Sequence, residues 1–334
     1  MYNNNMLRFF VLCLAVLSCS SAKNDSIEPN DGQEDTEISY RDEMRNFIGN
    51  ISEHAKARNP DFVIIPQNGI ELVTSNGLPS GTVATDYLNS IDANGQESLF
   101  YGDKNDNIKT ASSRTTYLLD LLKISQNAGN TILVTDYCKK ESKVDDALNL
   151  NAENGFLPFQ ADDRNLTTIP PYPAEPFLSN AEDINSLKKA KNHIFLLNYS
   201  KFENRESFLD ALSQTNYDVL IIDAFFNDGI PFSKEEVGRL KVKSNGGKRM
   251  VVSYMSIGEA EDYRYYWDLN WEFEIPEWLD EENPRWKGNY KVKYWLKAWQ
   301  DLIVSSENSY LNKILDAGFD GVYMDIVDAF EHFE

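Results

Sequence analysis

Short apolar runs alternate with stretches of helical periodicity along most of this chain. The alternation is typical of βαβ units, in which each buried strand is followed by a helix that packs on a parallel sheet. Eight runs predict strands: residues 62–65, a weaker run at 88–93, 131–134, 194–197, 219–222, 250–254, 292–294 and 321–324. Eight buried strands with intervening helices favour a closed (β/α)8 barrel of the TIM type over an open sheet.

The two ends of this pattern agree with a closed ring of strands. Met44, Phe47, Ile48 and Ile51 fall on one face of a predicted helix that precedes the first strand. The last strand is followed by no predicted helix. In a ring, the first helix can cover the last strand, so we expect the ends of the domain to be neighbours. We assign residues 41–334 to this single domain.

The first residues have the pattern of an export signal. Arg8 precedes an apolar run that is too short to span a bilayer. The run ends in Leu17-Ser18-Cys19, which resembles a bacterial lipobox. We therefore predict a lipoprotein signal peptide at residues 1–19, with lipidation at Cys19. The alternative is an ordinary signal peptide with an incidental cysteine.

Residues 20–40 are rich in Ser, Asp and Glu and predict an acidic, disordered tether between membrane and domain. The expected location is the cell envelope, on the periplasmic or surface face of the outer membrane. The lipid anchor would be the only attachment to the membrane.

Charge and histidine content limit the partners. A net charge of −21 argues against nucleic acid and suits neutral or cationic substrates. The three histidines are scattered, so we expect no metal site and no other cofactor. We expect a monomer.

Polar residues follow several predicted strands, where barrel enzymes carry their chemistry. They are Asn68, Glu97, Asp136, Asp223, Glu259 and Asp325. A single acid at such a position is commonly the N-cap of the next helix. Several acids on one face would repel one another, so the group as a whole indicates a functional site.

Carboxylates without a histidine partner, a nucleophilic thiol or a Gly-rich phosphate loop indicate acid/base chemistry on a sugar. Tyrosines and tryptophans are frequent between residues 254 and 299 and could stack on sugar rings, although packing explains most of them. Those nearest to strand ends, Tyr254, Trp267 and Trp295, are predicted to contact ligand.

A further resemblance lies in six segments of the chain: 254–267, 286–295, 318–329, 63–69, 95–101 and 133–137. Together they resemble the endo-α-1,4-polygalactosaminidase-like glycoside hydrolases, family 114 and its bacterial and archaeal relatives. In the family, the segments of Asn68, Glu97 and Asp136 follow the segment of Asp325, whereas here they precede it. The resemblance therefore implies a circular permutation, with the cut just after the strand that carries Asp325.

The resemblance implies that Asp325 and Glu97 are the catalytic carboxyl pair. We expect Asp325 to be the ionised nucleophile or transition-state stabiliser and Glu97 to be the general acid/base with a raised pKa. The other implied substrate-binding residues are Asp223, Tyr254, Glu259, Arg264, Asn68, Asp136 and Tyr137. Glu259 is a reserve candidate for a catalytic role, since it follows a better-marked strand than Glu97 does.

These observations predict a glycosidase that hydrolyses a polysaccharide containing amino sugars. The alternative is a degenerate barrel that binds glycan at the surface without cutting it. A third possibility is a deacetylase- or lyase-like enzyme on the same scaffold. The presence of carboxylates at both Glu97 and Asp325 favours the hydrolase, because a binding protein needs no acid/base pair.

Overall fold

The computed structural model describes residues 38–334. Predictions for residues 1–37, including the signal peptide, Cys19 and most of the tether, lie outside the described residues. In the described range the strands are β1 Val63–Pro66, β2 Ala93–Glu97, β3 Thr131–Tyr137, β4 Leu157–Ala161, β5 His193–Leu196, β6 Val219–Asp223, β7 Met250–Ser256, β8 Glu259–Glu261, β9 Leu279–Glu282, β10 Asn289–Val292 and β11 Gly321–Asp325.

The α-helices of the same range are α1 Tyr40–Arg58, α2 Thr85–Ser90, α3 Ser112–Asn127, α4 Glu141–Asn154, α5 Arg205–Ser213, α6 Lys234–Leu240, α7 Lys297–Gln300, α8 Tyr310–Asp316 and α9 Phe330–Phe333. A π-helical turn, Asp301–Ser305, continues α7. Among the described helices, none is both long enough and apolar enough to cross a bilayer.

Helix α1 follows from its sequence. The Ser39 side chain accepts a hydrogen bond from the Asp42 backbone N–H and caps the first turn. Acidic residues occupy that turn and basic residues the last one, which complements the helix dipole. The predicted face, which includes Met44, Phe47 and Ile51, is buried.

Parallel strands form the centre of the molecule. One sheet has the order β1-β11-β7-β6-β5 and a second has the order β2-β3-β4. A parallel bridge between Gln67 and Gly95 joins β1 to β2, and the Asn68 N–H donates to the Gly95 carbonyl at 2.8 Å. This mixed α/β arrangement with parallel sheets is compatible with a TIM-like fold.

The sequence prediction of the strands was wrong at three places. Residues 292–294 do not form a central strand, because β10 ends at Val292 and pairs with β8 and β9 in a small antiparallel sheet. The first half of the weak run at 88–93 lies in α2, and β2 begins only at Ala93. Strand β4 was missed because its sequence, Leu-Pro-Phe-Gln-Ala, interrupts the apolar run with proline and glutamine.

Polar side chains tie neighbouring strands together at their amino ends. Asp92 accepts from the Ile64 N–H at 2.9 Å, and Asp320 accepts from the Val251 N–H at 2.9 Å. Just before β6, the fully buried pair of Lys243 and Asp218 is 3.0 Å apart. The first two bonds satisfy backbone N–H groups that would otherwise be buried without partners.

Arg249 provides a similar bond network just before β7. Its guanidinium is buried and donates to the carbonyls of Leu240, Leu212 and Thr215. It thereby satisfies carbonyls at the carboxyl ends of α5 and α6.

The first described helix lies beside the last residues. Arg41 donates to the Glu334 carboxylate at 2.7 Å, and the rings of Tyr40 and Phe333 are 5.6 Å apart. Helix α1 packs on α8 and α9. The two ends of the described range are therefore neighbours, as the pattern of strands and helices predicted.

Candidate active site

A cavity of about 620 Å³ opens where the central parallel strands end. Three acids that close strands line it: Glu97 at the end of β2, Asp223 at the end of β6 and Asp325 at the end of β11. The carboxyl ends of parallel strands lie at one face of the sheet, which explains why residues distant in sequence meet here. The other predicted residues that line the cavity are Asn68, Tyr137, Tyr254, Glu259 and Arg264.

Glu97 is held by hydrogen bonds at both carboxylate oxygens. The Tyr137 hydroxyl donates to Oε1, and the Asn68 amide donates to Oε2 at 3.1 Å. Asn68 also accepts from the Glu97 backbone N–H at 3.1 Å, so that one amide fixes both the backbone and the side chain. The carboxylate consequently has a defined orientation at the cavity wall.

Asp325 is held in a similar way on the neighbouring side of the cavity. The Tyr254 hydroxyl donates to Oδ2 at 2.9 Å, and the Ile326 N–H donates to Oδ1 at 2.8 Å. Burial, and after it the charge of Glu97, raise the pKa of Asp325 from 3.8 to about 8. This direction is opposite to the expectation that Asp325 stays ionised, because a carboxyl group that is desolvated beside another carboxyl group holds its proton more tightly.

Arg264 bridges two other acids of the cavity. Its guanidinium donates to both oxygens of Asp223, at 2.9 and 2.7 Å, and its Nε donates to Glu261 at 2.5 Å. Arg264 is buried, and the two carboxylates raise its pKa against the opposing effect of burial. The network neutralises part of the acidic wall and fixes the position of Asp223.

Glu259, the reserve catalytic candidate, uses both carboxylate oxygens in hydrogen bonds to the protein itself. It is only 2 % exposed, and its Oε1 accepts from the Asn283 amide at 2.7 Å. Its Oε2 accepts from the Asn289 amide at 3.4 Å. Both oxygens therefore hold the chain between β9 and β10.

Asp136 does not line the cavity, contrary to the sequence prediction. Its buried carboxylate accepts from the backbone N–H groups of Phe100 and Tyr101, at 2.8 and 2.9 Å, and from the Asn151 amide. Burial raises its pKa to about 6. Asp136 thus anchors the loop after Glu97 and lies behind the site.

Trp267 and Trp295 also lie outside the cavity lining. Trp267 packs against Trp271 and Tyr290, with ring centroids 5.2 and 4.9 Å away. Trp295 packs between Tyr40 and Phe333, at 4.9 and 4.7 Å. Both predictions were wrong because proximity to a strand end in sequence does not determine which way an indole points.

Other lining residues were not predicted from the sequence. Arg164 follows the missed strand β4, donates to the Gly102 carbonyl and lies 4.4 Å from the centre of the Tyr137 ring. Asp328 lines the cavity, and burial raises its pKa to about 6. Recognition of β4 would have identified Arg164, since it repeats the pattern of a polar residue after a buried strand.

Backbone strain is concentrated at the same rim. Asn68, Ser98 and Ile326 adopt left-handed conformations with φ of 57°, 54° and 58°. They follow the adjacent strands β1, β2 and β11. Asparagine tolerates this region, whereas a β-branched isoleucine there is an outlier that persists only when the surroundings enforce it.

Gly95 and Tyr323 meet beneath the carboxyl pair. A Cβ atom at Gly95 would overlap the Tyr323 hydroxyl and ring. The ring is buried and 5.0 Å from Phe195, and its hydroxyl has no hydrogen-bond partner among residues 38–334. Only a residue without a side chain fits beside it.

Gly95→Ala should therefore lower the free energy of unfolding by about 1–3 kcal/mol and shift the strand that carries Glu97. Urea unfolding measures the loss. Gly49→Ala is the matched control, because a Cβ there would contact nothing within 4 Å; it should stabilise by about 0.5–1 kcal/mol in the interior of α1. Equal stability of the Gly95→Ala variant and the parent protein would contradict the proposed fit.

Among the described residues, no group of three or more His, Cys, Asp or Glu side chains is arranged to hold a metal ion. The site thus consists of a carboxyl pair with hydroxyl and amide donors, beside an ion-pair network. This arrangement brings two carboxyl groups and several hydrogen-bond donors to the wall of one cavity.

Part of this chain is similar to proteins of three other organisms. The chain is 40% identical over 159 residues to an uncharacterized protein of Methanocaldococcus jannaschii, covering 47% of this chain and 43% of that protein. Uncharacterized proteins of Thermotoga maritima and Deinococcus radiodurans are 38% and 36% identical over 122 and 126 residues. These matches cover 36% and 38% of this chain and the same shares of the two relatives. The chain thus spans less than half the length of each of these relatives.

The family comparison matches residues 183–334 to the model of glycoside-hydrolase family GH114. The matched segment contains Asp223, Tyr254, Glu259, Arg264 and Asp325, whereas Glu97 lies outside it. Through residues 183–334, the chain is similar to glycoside-hydrolase family GH114.

Proposed function

We propose that this chain is a glycoside hydrolase that cleaves a polysaccharide containing amino sugars. The observation that carries the proposal is the carboxyl pair. Glu97 and Asp325 line one cavity, where burial and, after it, the charge of Glu97 raise the pKa of Asp325. Hydrolysis of a glycosidic bond requires one protonated and one ionised carboxyl group beside that bond.

The raised pKa of Asp325 reverses the roles expected from the sequence. In the proposed mechanism, Asp325 donates its proton to the leaving oxygen as the bond from that oxygen to the anomeric carbon breaks. Glu97 supplies the negative charge that stabilises the positive charge developing on the sugar ring. A water molecule then forms the new bond to the anomeric carbon and returns a proton to Asp325, which regenerates the site. Tyr137 and Asn68 orient Glu97, and Tyr254 orients Asp325.

We further propose that the eight parallel strands close into a barrel through β4 and β5. Two contacts support closure: the rings of Phe159 and His193 are 5.7 Å apart, and His193 Nε2 is 3.2 Å from the Thr135 hydroxyl. The circular permutation is proposed from the order of the family-like segments. The lipid anchor at Cys19 and the cell-envelope location are proposed from the sequence of residues 1–40.

The acidic lining of the cavity favours the binding of a neutral or cationic substrate. The carboxyl groups in its wall outnumber the cations Arg164 and Arg264, and the chain carries a net charge of −21. An anionic polysaccharide would be repelled from such a surface. Amino sugars with free amines would be attracted to it.

The test incubates the purified protein with polymers of galactosamine, polymers of glucosamine and mixed exopolysaccharides, and measures released reducing ends. An anionic polyuronate is the negative control. We expect release from at least one amino-sugar polymer and none from the polyuronate. Retention of a polymer without any release would instead support the glycan-binding alternative.

A further inference from the structure

Residues 259–289 form a wall of the cavity with three exposed aromatic rings, of which Tyr265, at 39 % exposure, is the least exposed. Tyr263 is 60 % exposed and Trp286 is 56 % exposed, and both line the cavity that contains Glu97 and Asp325. Large aromatic side chains that remain in water beside a polar cavity commonly mark a ligand-binding surface. Neither residue was predicted to bind ligand from the sequence.

Tyr263 is held rigidly despite its exposure. Its hydroxyl donates to the buried Glu261 carboxylate at 2.5 Å, and the Arg264 guanidinium lies 5.2 Å from its ring centre. The same Glu261 accepts from Arg264, so the ring is attached to the ion-pair network of the cavity. A ring fixed before the ligand arrives loses little conformational entropy on binding.

Trp286 lies in the connection between β9 and β10, and this connection is anchored to the cavity. The Asn283 amide donates to Glu259, and the Gly288 N–H donates to Glu282 at 2.8 Å. At the start of β10, the Asn289 amide also donates to Glu259. Glu259 therefore acts as a positioning residue for the turn that carries the exposed indole.

Tyr263 and Trp286 lie close to acidic and amide side chains of the same wall. They belong to a different segment of the chain from Glu97 and Asp325. Sugar rings present C–H groups on their faces and hydroxyls at their edges. An aromatic face with nearby carboxylates and amides matches both parts of such a ligand. A cavity of about 620 Å³ accommodates a ligand of the size of a drug molecule, which is larger than one sugar ring.

We infer that Tyr263 and Trp286 form a subsite for a sugar unit next to the cleaved bond, so that the site recognises consecutive units of a polysaccharide. The inference rests on the proposed function and specifies its substrate as an oligomeric or polymeric chain. A glycoside of one sugar would occupy the carboxyl pair without reaching the rings.

The test compares Trp286→Ala and Tyr263→Ala with the parent protein on two substrates. One is the amino-sugar polymer that the parent protein cleaves or retains best, and the other is the glycosyl fluoride of the same amino sugar, whose small leaving group does not fill a neighbouring subsite. We expect kcat/KM on the polymer to fall about tenfold per ring, mainly through KM, and to fall much less on the fluoride. Phe273→Ala is the matched control, because Phe273 is 85 % exposed and lies outside the cavity lining.

Glu259 provides a second variant with a separate readout. Glu259→Ala should raise KM for the polymer as Trp286→Ala does, because the turn loses its anchor. Glu259→Gln keeps an acceptor for Asn283 and should restore most of the parent KM. Failure of the glutamine variant to restore KM would contradict the anchoring role.

The outcomes distinguish a failure of the proposed subsite from a failure of the proposed hydrolase activity. Equal losses on both substrates, or an equal loss in Phe273→Ala, would overturn the subsite and leave hydrolysis intact. If the parent protein cuts neither substrate, electrophoresis through a gel containing the polymer decides: retardation that is lost in Trp286→Ala supports the subsite and refutes the hydrolase. The absence of both cleavage and retardation would refute both.

Discussion

Asp325→Asn should reduce the release of reducing ends by at least about 10²–10⁴-fold, the range expected for loss of a general acid. The amide keeps the shape of the carboxyl group and its contact with Tyr254 but has no proton of comparable acidity. The measurement is the initial rate on the polymer that the parent protein cleaves best. Glu97→Gln should show a loss of similar size, and unchanged rates in either variant would refute the assignment of the pair.

The same variant should change the pH dependence of stability. The pKa of Asp325 is raised from 3.8 to about 8 by burial and by Glu97. Between these values the folded chain holds a proton that the unfolded chain has released, so stability falls as the pH rises through this window. Asparagine cannot ionise. Asp325→Asn should therefore gain stability relative to the parent as the pH rises from 4 to 8.

Urea midpoints at several pH values test this expectation. Asp136 and Asp328 also have raised pKa values, about 6 in each case, but they are present in both proteins and cancel in the comparison. A difference in midpoint that does not vary with pH would contradict the raised pKa of Asp325. Such a result would also return the role of general acid to Glu97.

Arg264→Met should cost about 3–5 kcal/mol of stability, the usual effect of removing one partner from a buried ion pair. The substitution leaves Asp223 and the buried Glu261 close together without their shared cation. Urea unfolding at neutral pH measures the loss. Acid should restore part of it, because protonation removes the repulsion between the two carboxyl groups.

The chain offers a matched control for this prediction. Arg239 also bridges two carboxylates, Glu206 and Asp210, but its side chain is 37 % exposed and both partners are mostly in water. Arg239→Met should therefore cost less than about 1 kcal/mol. Equal losses of stability in the two variants would show that burial of the Arg264 network adds nothing to the stability of the fold.

The sequence predicted most central strands because these are buried on both faces. Strands β6, β7 and β11 are runs of apolar residues, and each is followed by the polar residues of the site. Strand β2 was misplaced because two of its buried residues, Asn94 and Gln96, are polar. Hydrogen bonds make such burial tolerable, and Asn94, for example, accepts from the Ser125 hydroxyl at 2.5 Å. Hydrophobic periodicity does not detect a buried strand made of amides and glycine.

The site was predictable to the extent that parallel strands bring their carboxyl ends together. Glu97, Asp223 and Asp325 followed from that rule, whereas Asp136, Trp267 and Trp295 did not. Position in the chain does not tell whether a side chain points into the cavity or behind it. Nor does it tell how strongly Asp325 is desolvated, and for that reason the roles proposed for the pair differ from the expected ones.

The two ends of the parallel strands serve opposite requirements. At the amino ends, Asp92, Asp320 and the Lys243–Asp218 pair satisfy buried groups and hold the strands together. At the carboxyl ends, left-handed residues and crowded acids raise the energy of the folded state. Substitutions that raise heat resistance can therefore accumulate at the amino ends of the strands. Substitutions that change the substrate can accumulate at the carboxyl ends, with little effect of one group on the other.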